Sequence, residues 1–367
     1  MKQRLTAFFL VLTLLVSPYV FAEKSLYIYT WNDYLAPETL ARFEKKTGIK
    51  VTVDIFDNND ILEAKLFAGN TGYDIVFPSY FPYLLRQVKA GIYEPLDSAR
   101  IPMLKGVDQR FDTHLTIDGK RYAAPFMWGT IGLAYNIDKI QAIFGKDFKP
   151  DSWGFIFDPI NAEKLKSCGI ALMNSPIFLG PIMMKYLGLN PKSTNADDYS
   201  KAMKQFAVIR PNITYFHDSQ YINDLATGNV CVAVGWSGDL IIARERAKLA
   251  SKPVNIAYLN PKEGAPLFFD VMAVPKGAKN IDAAYQFMDF MLEPESMAEL
   301  TKFNFYPSPV PASRALLPAQ LQNDTSIYPP DQTMNQMFVQ GELPLNVEKQ
   351  VNRDWARMKS GELSNAN

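Results

Sequence analysis

Residues 25–79 read SLYIYTWNDYLAPETLARFEKKTGIKVTVDIFDNNDILEAKLFAGNTGYDIVFPS, and the changes of hydrophobic period within them decide the fold. Leu26, Ile28 and Thr30 alternate as a strand. Pro37 sits where a helix begins, Glu38 and Arg42 are four apart, and Gly48 follows the last turn. Ile49, Val51, Val53 and Ile55 alternate again as a second strand. Leu62 to Phe67 reads as a helix followed by Gly69 and Gly72, and Tyr73 to Phe77 as a buried strand ending at Pro78-Ser79. Strand–helix–strand units of this size join parallel strands by right-handed crossovers. The segment therefore predicts an α/β layered domain.

The alternation recurs downstream. Gly132 to Tyr135, Gly169 to Leu172, Val230 to Trp236, Val254 to Tyr258 and Phe268 to Val274 read as strands. Ile177 to Leu187, Asp197 to Phe206, Gln220 to Ala226, Gly238 to Leu249 and Asp282 to Leu292 read as helices. The polar end, Ser360 to Asn367, is expected to fray.

Residues 1–22 read as an export leader cleaved after Ala22. Lys2 and Arg4 precede an apolar run from Leu5 to Val16, too short to span a membrane comfortably. Glu23 then rules out a lipid-accepting cysteine at the cut. Loss of the leader leaves 36 basic against 38 acidic residues, a net charge of −2 that points to no nucleic-acid partner. The roughly 345 residues that remain suit two domains. Cys168 and Cys231, an even pair in an exported chain, read as a disulfide. With only two cysteines and two histidines at wide spacing, no metal-ligand pattern is present, and no cofactor motif is found.

Three aromatic–acid pairs stand at or within strand ends: Trp31 with Asp33, Trp236 with Asp239, and Phe268 with Asp270. An ammonium leaving water needs anionic oxygens, and it gains from aromatic faces that exclude solvent. Asp270 carries the sharpest argument, because its neighbours from Phe268 to Val274 are otherwise apolar and a strand-buried carboxylate is costly unless partnered. Ligands of parallel α/β sheets bind beyond the carboxyl ends of the strands. Trp31-Asn32-Asp33-Tyr34, Ser79 and the Trp236–Asp239 stretch would meet there if two such domains face one another.

Other chemistries find little support. Gly235-Trp236-Ser237-Gly238-Asp239 nearly copies a nucleophile elbow but lacks its closing glycine. No phosphate-cradling glycine loop is present. Arg244-Glu245-Arg246 with Lys248 reads as a solvated helix face, and His217 as a satisfied loop histidine.

Several segments occur together and in order: Tyr29-Thr30-Trp31-Asn32-Asp33-Tyr34, Gly72 to Ser79, Ser167-Cys168-Gly169, Pro211-Asn212-Ile213, Tyr221 to Ala226, Gly235 to Asp239, and Phe268-Phe269-Asp270-Val271. The combination resembles the periplasmic polyamine-binding proteins of the putrescine and spermidine ABC importers, the putrescine-specific branch most closely. The resemblance implies a two-lobe periplasmic-binding-protein fold of type II, with mixed sheets flanked by helices and crossing hinge segments. It divides the chain into 23–132 plus 268–314 and 133–267 plus 315–367. It also implies that Trp31, Asp33, Tyr34, Ser79, Trp236, Asp239, Phe268, Asp270 and Tyr306 line the cleft of a monomer that serves a membrane permease. Asp239 and Asp270 would hold one ammonium, and the Cys168–Cys231 bridge is supported.

One departure bears on the ligand. Asn174 and Ile177 stand where the family resemblance leads one to expect Asp and Glu for the far amine, whereas Asp218 is an acid where relatives tend to carry serine. A lost charge-assisted bond is worth about 1.5–3 kcal/mol. Asp218 is expected to supply the missing charge; otherwise the ligand is a different amine or a guanidino compound. The rival classes are an exported hydrolase using paired carboxylates, a binder of anions or sugars, and a sensor that presents its ligand to a receptor.

Overall fold

The computed structural model describes residues 24–363; the expected leader and the last four residues lie outside the described residues. Strands β1 (Ser25–Trp31), β2 (Lys50–Phe56) and β3 (Ile75–Val76) form the expected parallel set, with β1 between the other two. The helix Pro37–Thr47 connects β1 to β2, with proline in its first turn and Gly48 closing it at φ 69°, in the left-handed region that glycine adopts at little cost. Arg42 does not pair with Glu38; it reaches Glu293 and Glu299 instead. The third strand is shorter than Tyr73 to Phe77, although all five residues are buried.

A small hairpin, β4 (Thr116–Ile117) and β5 (Lys120–Arg121), leads into β6 (Ala123–Asn136), the longest strand. Beyond it come β7 (Ile170–Leu172), β8 (Tyr215–Phe216), β9 (Val232–Trp236), β10 (Ile256–Leu259) and β11 (Leu267–Ala273). β7 pairs in parallel with β8 and β9, which makes a second unit like the first. The two units are the lobes of a two-lobe fold, and β6 runs through both. Its residues Ala123 to Thr130 pair with β11, while Ile131 to Asn136 pair with β9 and β10. The return from β10 to β11 is a second crossing. Past Tyr306 the chain goes back again, ending in the helix Leu345–Ser360, which packs on the helices Pro176–Tyr186 and Ala196–Ile209.

Only the end of β6 was legible as a strand. Pro125 and Gly129 argue against a central strand by composition, yet Pro125 is accommodated at a bulge. Asp270 lies opposite Met127 and Val271 opposite Pro125, which leaves Phe126 as the extra residue. A bulge re-aims the side chains beside it, and here Asp270 is the one beside it.

The Cys168–Cys231 disulfide is formed, with Cα atoms 5.4 Å apart across a separation of 63 residues. It ties the segment before β7 to the entry of its neighbour β9. On chain-entropy grounds such a closure stabilises by roughly 4 kcal/mol. Among the described residues no helix is long and apolar enough to cross a membrane.

Candidate ligand-binding site

The carboxyl ends of β1, β2 and β9 converge on one cavity of about 510 Å³, counting its open mouth. Trp31, Asn32, Tyr34, Ser79, Asp218, Trp236, Asp239, Phe268, Asp270 and Tyr306 all line it. Sequence reasoning had singled out these ten.

Asp270 is buried at 4% exposure. Its Oδ2 accepts from the Tyr34 hydroxyl at 2.6 Å and its Oδ1 from the Ser79 hydroxyl at 2.6 Å. Asn59 fixes Ser79 in turn, through bonds of 3.0 Å to its backbone N–H and its Oγ. Asp239 is held the same way, with Tyr306 donating to Oδ1 and Tyr221 to Oδ2, both at 2.8 Å. Among the described residues neither carboxylate makes an ion pair with a lysine or arginine. Burial pushes both carboxyls up to about 6; their hydroxyl donors oppose this, and each has an acidic neighbour that adds to it. For Asp270 that neighbour is Asp239 itself.

Two glycines make this arrangement possible. A Cβ on Gly235 would lie 2.4 Å from the Tyr221 ring, and one on Gly238 2.3 Å from the Tyr306 ring. The stretch that half-resembled a nucleophile elbow thus has its glycines for another reason: the backbone must pass close to the two phenols that hold Asp239.

Aromatic rings enclose the acids. Trp236 meets Phe268 edge-on at 4.5 Å and Phe178 at 5.0 Å, and Trp31 packs on Phe56 at 4.6 Å. Tyr34 and Tyr306 meet edge-on at 5.6 Å. Such walls exclude water from a cation and offer it π-faces.

Asp33 behaves differently from the other ten. It is absent from the cavity lining, has φ 52°, and its Oδ2 pairs with the Arg246 guanidinium at 2.9 Å. Arg246 also donates to Asn223, so it is no free member of a solvated face. Arg244 likewise turns inward to Asp324 at 2.6 Å. Asp33 thus ties β1's end to the helix Ser237–Leu249 of the other lobe.

At the far side of the cavity Asp218 accepts the Asn174 backbone N–H at 3.0 Å, and burial pushes its carboxyl up to about 6. The side chains of Asn174 and Ile177 do not line the cavity. His217 accepts the N–H groups of Ser219 and Gln220 through Nδ1, the satisfied loop histidine expected. Phe56, Asp57, Ser219 and Ile222 complete the lining and were not anticipated. Phe56 and Asp57 follow β2 as Trp31 follows β1, so the carboxyl-end rule could have found them.

Comparison with known proteins agrees with this geometry. Residues 38–329 match the family described as bacterial extracellular solute-binding protein. The chain is 43% identical to the putrescine-binding periplasmic protein SpuD of Pseudomonas aeruginosa, over 92% of this chain and 93% of that one. It is 44% identical to the putrescine-binding periplasmic protein PotF of Escherichia coli, over 92% of each. A solved structure, a putative spermidine/putrescine ABC transporter from Listeria monocytogenes, superposes with a TM-score of 0.79 at 30% identity, covering 92% of this chain and 99% of that one.

Proposed function

We propose, from the premise that the chain belongs to the bacterial extracellular solute-binding protein family, that it captures a small polyamine of the putrescine type between its lobes. It then delivers the polyamine to an ABC permease. The observation that carries this reading is the pair Asp239 and Asp270: a half-buried and a buried carboxylate lining one aromatic cavity, bonded by hydroxyls and, among the described residues, by no lysine or arginine. Each anion has lost water and gained only neutral donors, so an ammonium that meets both relieves the desolvation and their mutual repulsion together. One ion pair at close approach is worth about 4 kcal/mol at an effective dielectric near 20, before desolvation is subtracted. Micromolar binding needs about 8 kcal/mol, within reach of two amine ends and the ring contacts.

The lobe boundaries 132/133, 267/268 and 314/315 belong to this proposal. The switch of β6 from β11 to β9 at Thr130–Ile131 supports the first of them. Periplasmic export after cleavage at Ala22, a monomeric state and capture without chemistry belong to the same proposal. The ligand contacts of Trp31, Asn32, Tyr34, Ser79, Trp236, Phe268 and Tyr306 are proposed with them, as is a far-end role for Asp218. Asp33 is proposed as a clasp between lobes, acting through Arg246, rather than as an ammonium ligand.

Calorimetric titration of the mature protein with putrescine, cadaverine, spermidine and agmatine tests the reading. A saturable single-site isotherm with at least one diamine and unchanged ligand recovered afterwards is expected. New products recovered from the incubation would favour the hydrolase class instead.

A further inference from the structure

Behind Asp218 lies the ammonium of Lys359. Asn174 joins the two: its backbone N–H donates to Asp218 Oδ1 at 3.0 Å, and its side-chain Oδ1 accepts from Lys359 Nζ at 2.7 Å. The indole N–H of Trp355 donates to the same Oδ1 at 3.0 Å, so the side-chain carbonyl of Asn174 is fully engaged away from the cavity. Lys359 sits in the last turn of the helix Leu345–Ser360, where a lysine suits the helix dipole from a solvated position. Its ammonium instead turns inward, half-buried, over the Trp355 ring at 5.8 Å. Burial disfavours its charged form, and Asp218 is the carboxylate that opposes the effect.

We propose that Lys359 is a specificity-determining residue of the far end of the cleft. Through Asn174 it is held where its charge offsets part of the field of Asp218, and so it restrains affinity for a second ammonium. This inference rests on the polyamine reading above. At the near end Arg246 also acts on Asp239, but its charge is taken up by its ion pair with Asp33, and two carboxylates line the cavity there, so the cleft grips one end of a diamine harder than the other. A monoamine of equal length, bound by the near end alone, does not meet the repulsion.

The experiment measures putrescine and n-butylamine affinities by calorimetry for the native protein and for Lys359→Met, Lys359→Glu and Lys359→Arg. The readout is the ratio of the two affinities, which a general loosening of the helix would leave unmoved. Removing one like charge at this range is expected to raise the ratio roughly three- to ten-fold in Lys359→Met. The ratio should rise further in Lys359→Glu and hold its native value in Lys359→Arg. An unchanged or lower ratio in a folded Lys359→Met overturns the inference while leaving the polyamine reading intact. A native protein that binds neither amine overturns both.

Discussion

The first lobe buries two aspartates, Asp74 and Asp270, at 1% and 4% exposure, and they are satisfied in opposite ways. Asp74 takes the backbone N–H groups of Tyr27, Lys279 and Asn280 together with the Asn280 amide, all at 2.8–3.0 Å, beside the start of the helix Ile281–Met291. Those donors are fixed by the fold and leave no room for a guest. Asp270 takes two hydroxyls and faces a cavity with Asp239 beside it. A hydroxyl can rotate and also has lone pairs to offer, so this carboxylate stays available to a cation. One acid is saturated by the fold; the other is desolvated, has only hydroxyl donors and lines a cavity.

Replacement of each by asparagine sharpens the contrast most. Asp270→Asn should cost putrescine at least about a hundred-fold in affinity, since removing one partner of a buried charged contact costs on the order of 3–5 kcal/mol. The ligand-free melting temperature at pH 7.5 should hold or rise, because a carboxyl pushed up to about 6 opposes folding when ionised. Asp74→Asn should do the reverse, lowering the melting temperature by the equivalent of roughly 1–3 kcal/mol while a folded protein binds normally.

The next effect comes from pH. Burial pushes the Asp239 and Asp270 carboxyls up to about 6 in the fold, against 3.8 ordinarily, and the charge of Asp239 adds to the shift of Asp270. Between about pH 4 and 6 the folded state holds protons that the unfolded chain has released. Ligand-free stability should therefore fall as pH rises through that window and level off above it. Affinity should run the other way, because an ammonium needs the ionised pair. Binding at pH 5 is expected to be roughly ten-fold or more weaker than at pH 7.5. Thermal melts and titrations across the window check both slopes; parallel slopes would contradict the contrast.

Much of this could be read from the chain, and the omissions have physical reasons. The parallel units around β1 and β9 were legible because alternation, prolines and glycines agree there. Eight of the cavity residues follow from strand ends and a buried acid, whereas Tyr306 and Asp218 come only from the family resemblance. The crossing strand β6 was hidden by Pro125 and Gly129, which a bulge tolerates and a composition rule does not. The ion pair of Asp33 with Arg246 spans 213 residues, and no local pattern announces it. Tyr221, which bonds Asp239, sits in a helix whose amphipathic spacing explains it equally well as core.

A smaller effect concerns the far end. Asp218→Ser should weaken putrescine roughly three- to thirty-fold, less than Asp270→Asn, because Lys359 already offsets part of its charge. Unchanged affinity by titration would remove Asp218 from the site. A loss equal to that of Asp270→Asn would make the two ends equivalent.

The most direct measurement is a crystal structure of the protein with putrescine bound. One terminal nitrogen is expected within about 3 Å of carboxylate oxygens of both Asp239 and Asp270, its methylene chain lying between Trp236 and the rings opposite. A diamine whose nitrogens both lie away from that pair would contradict the account at its centre.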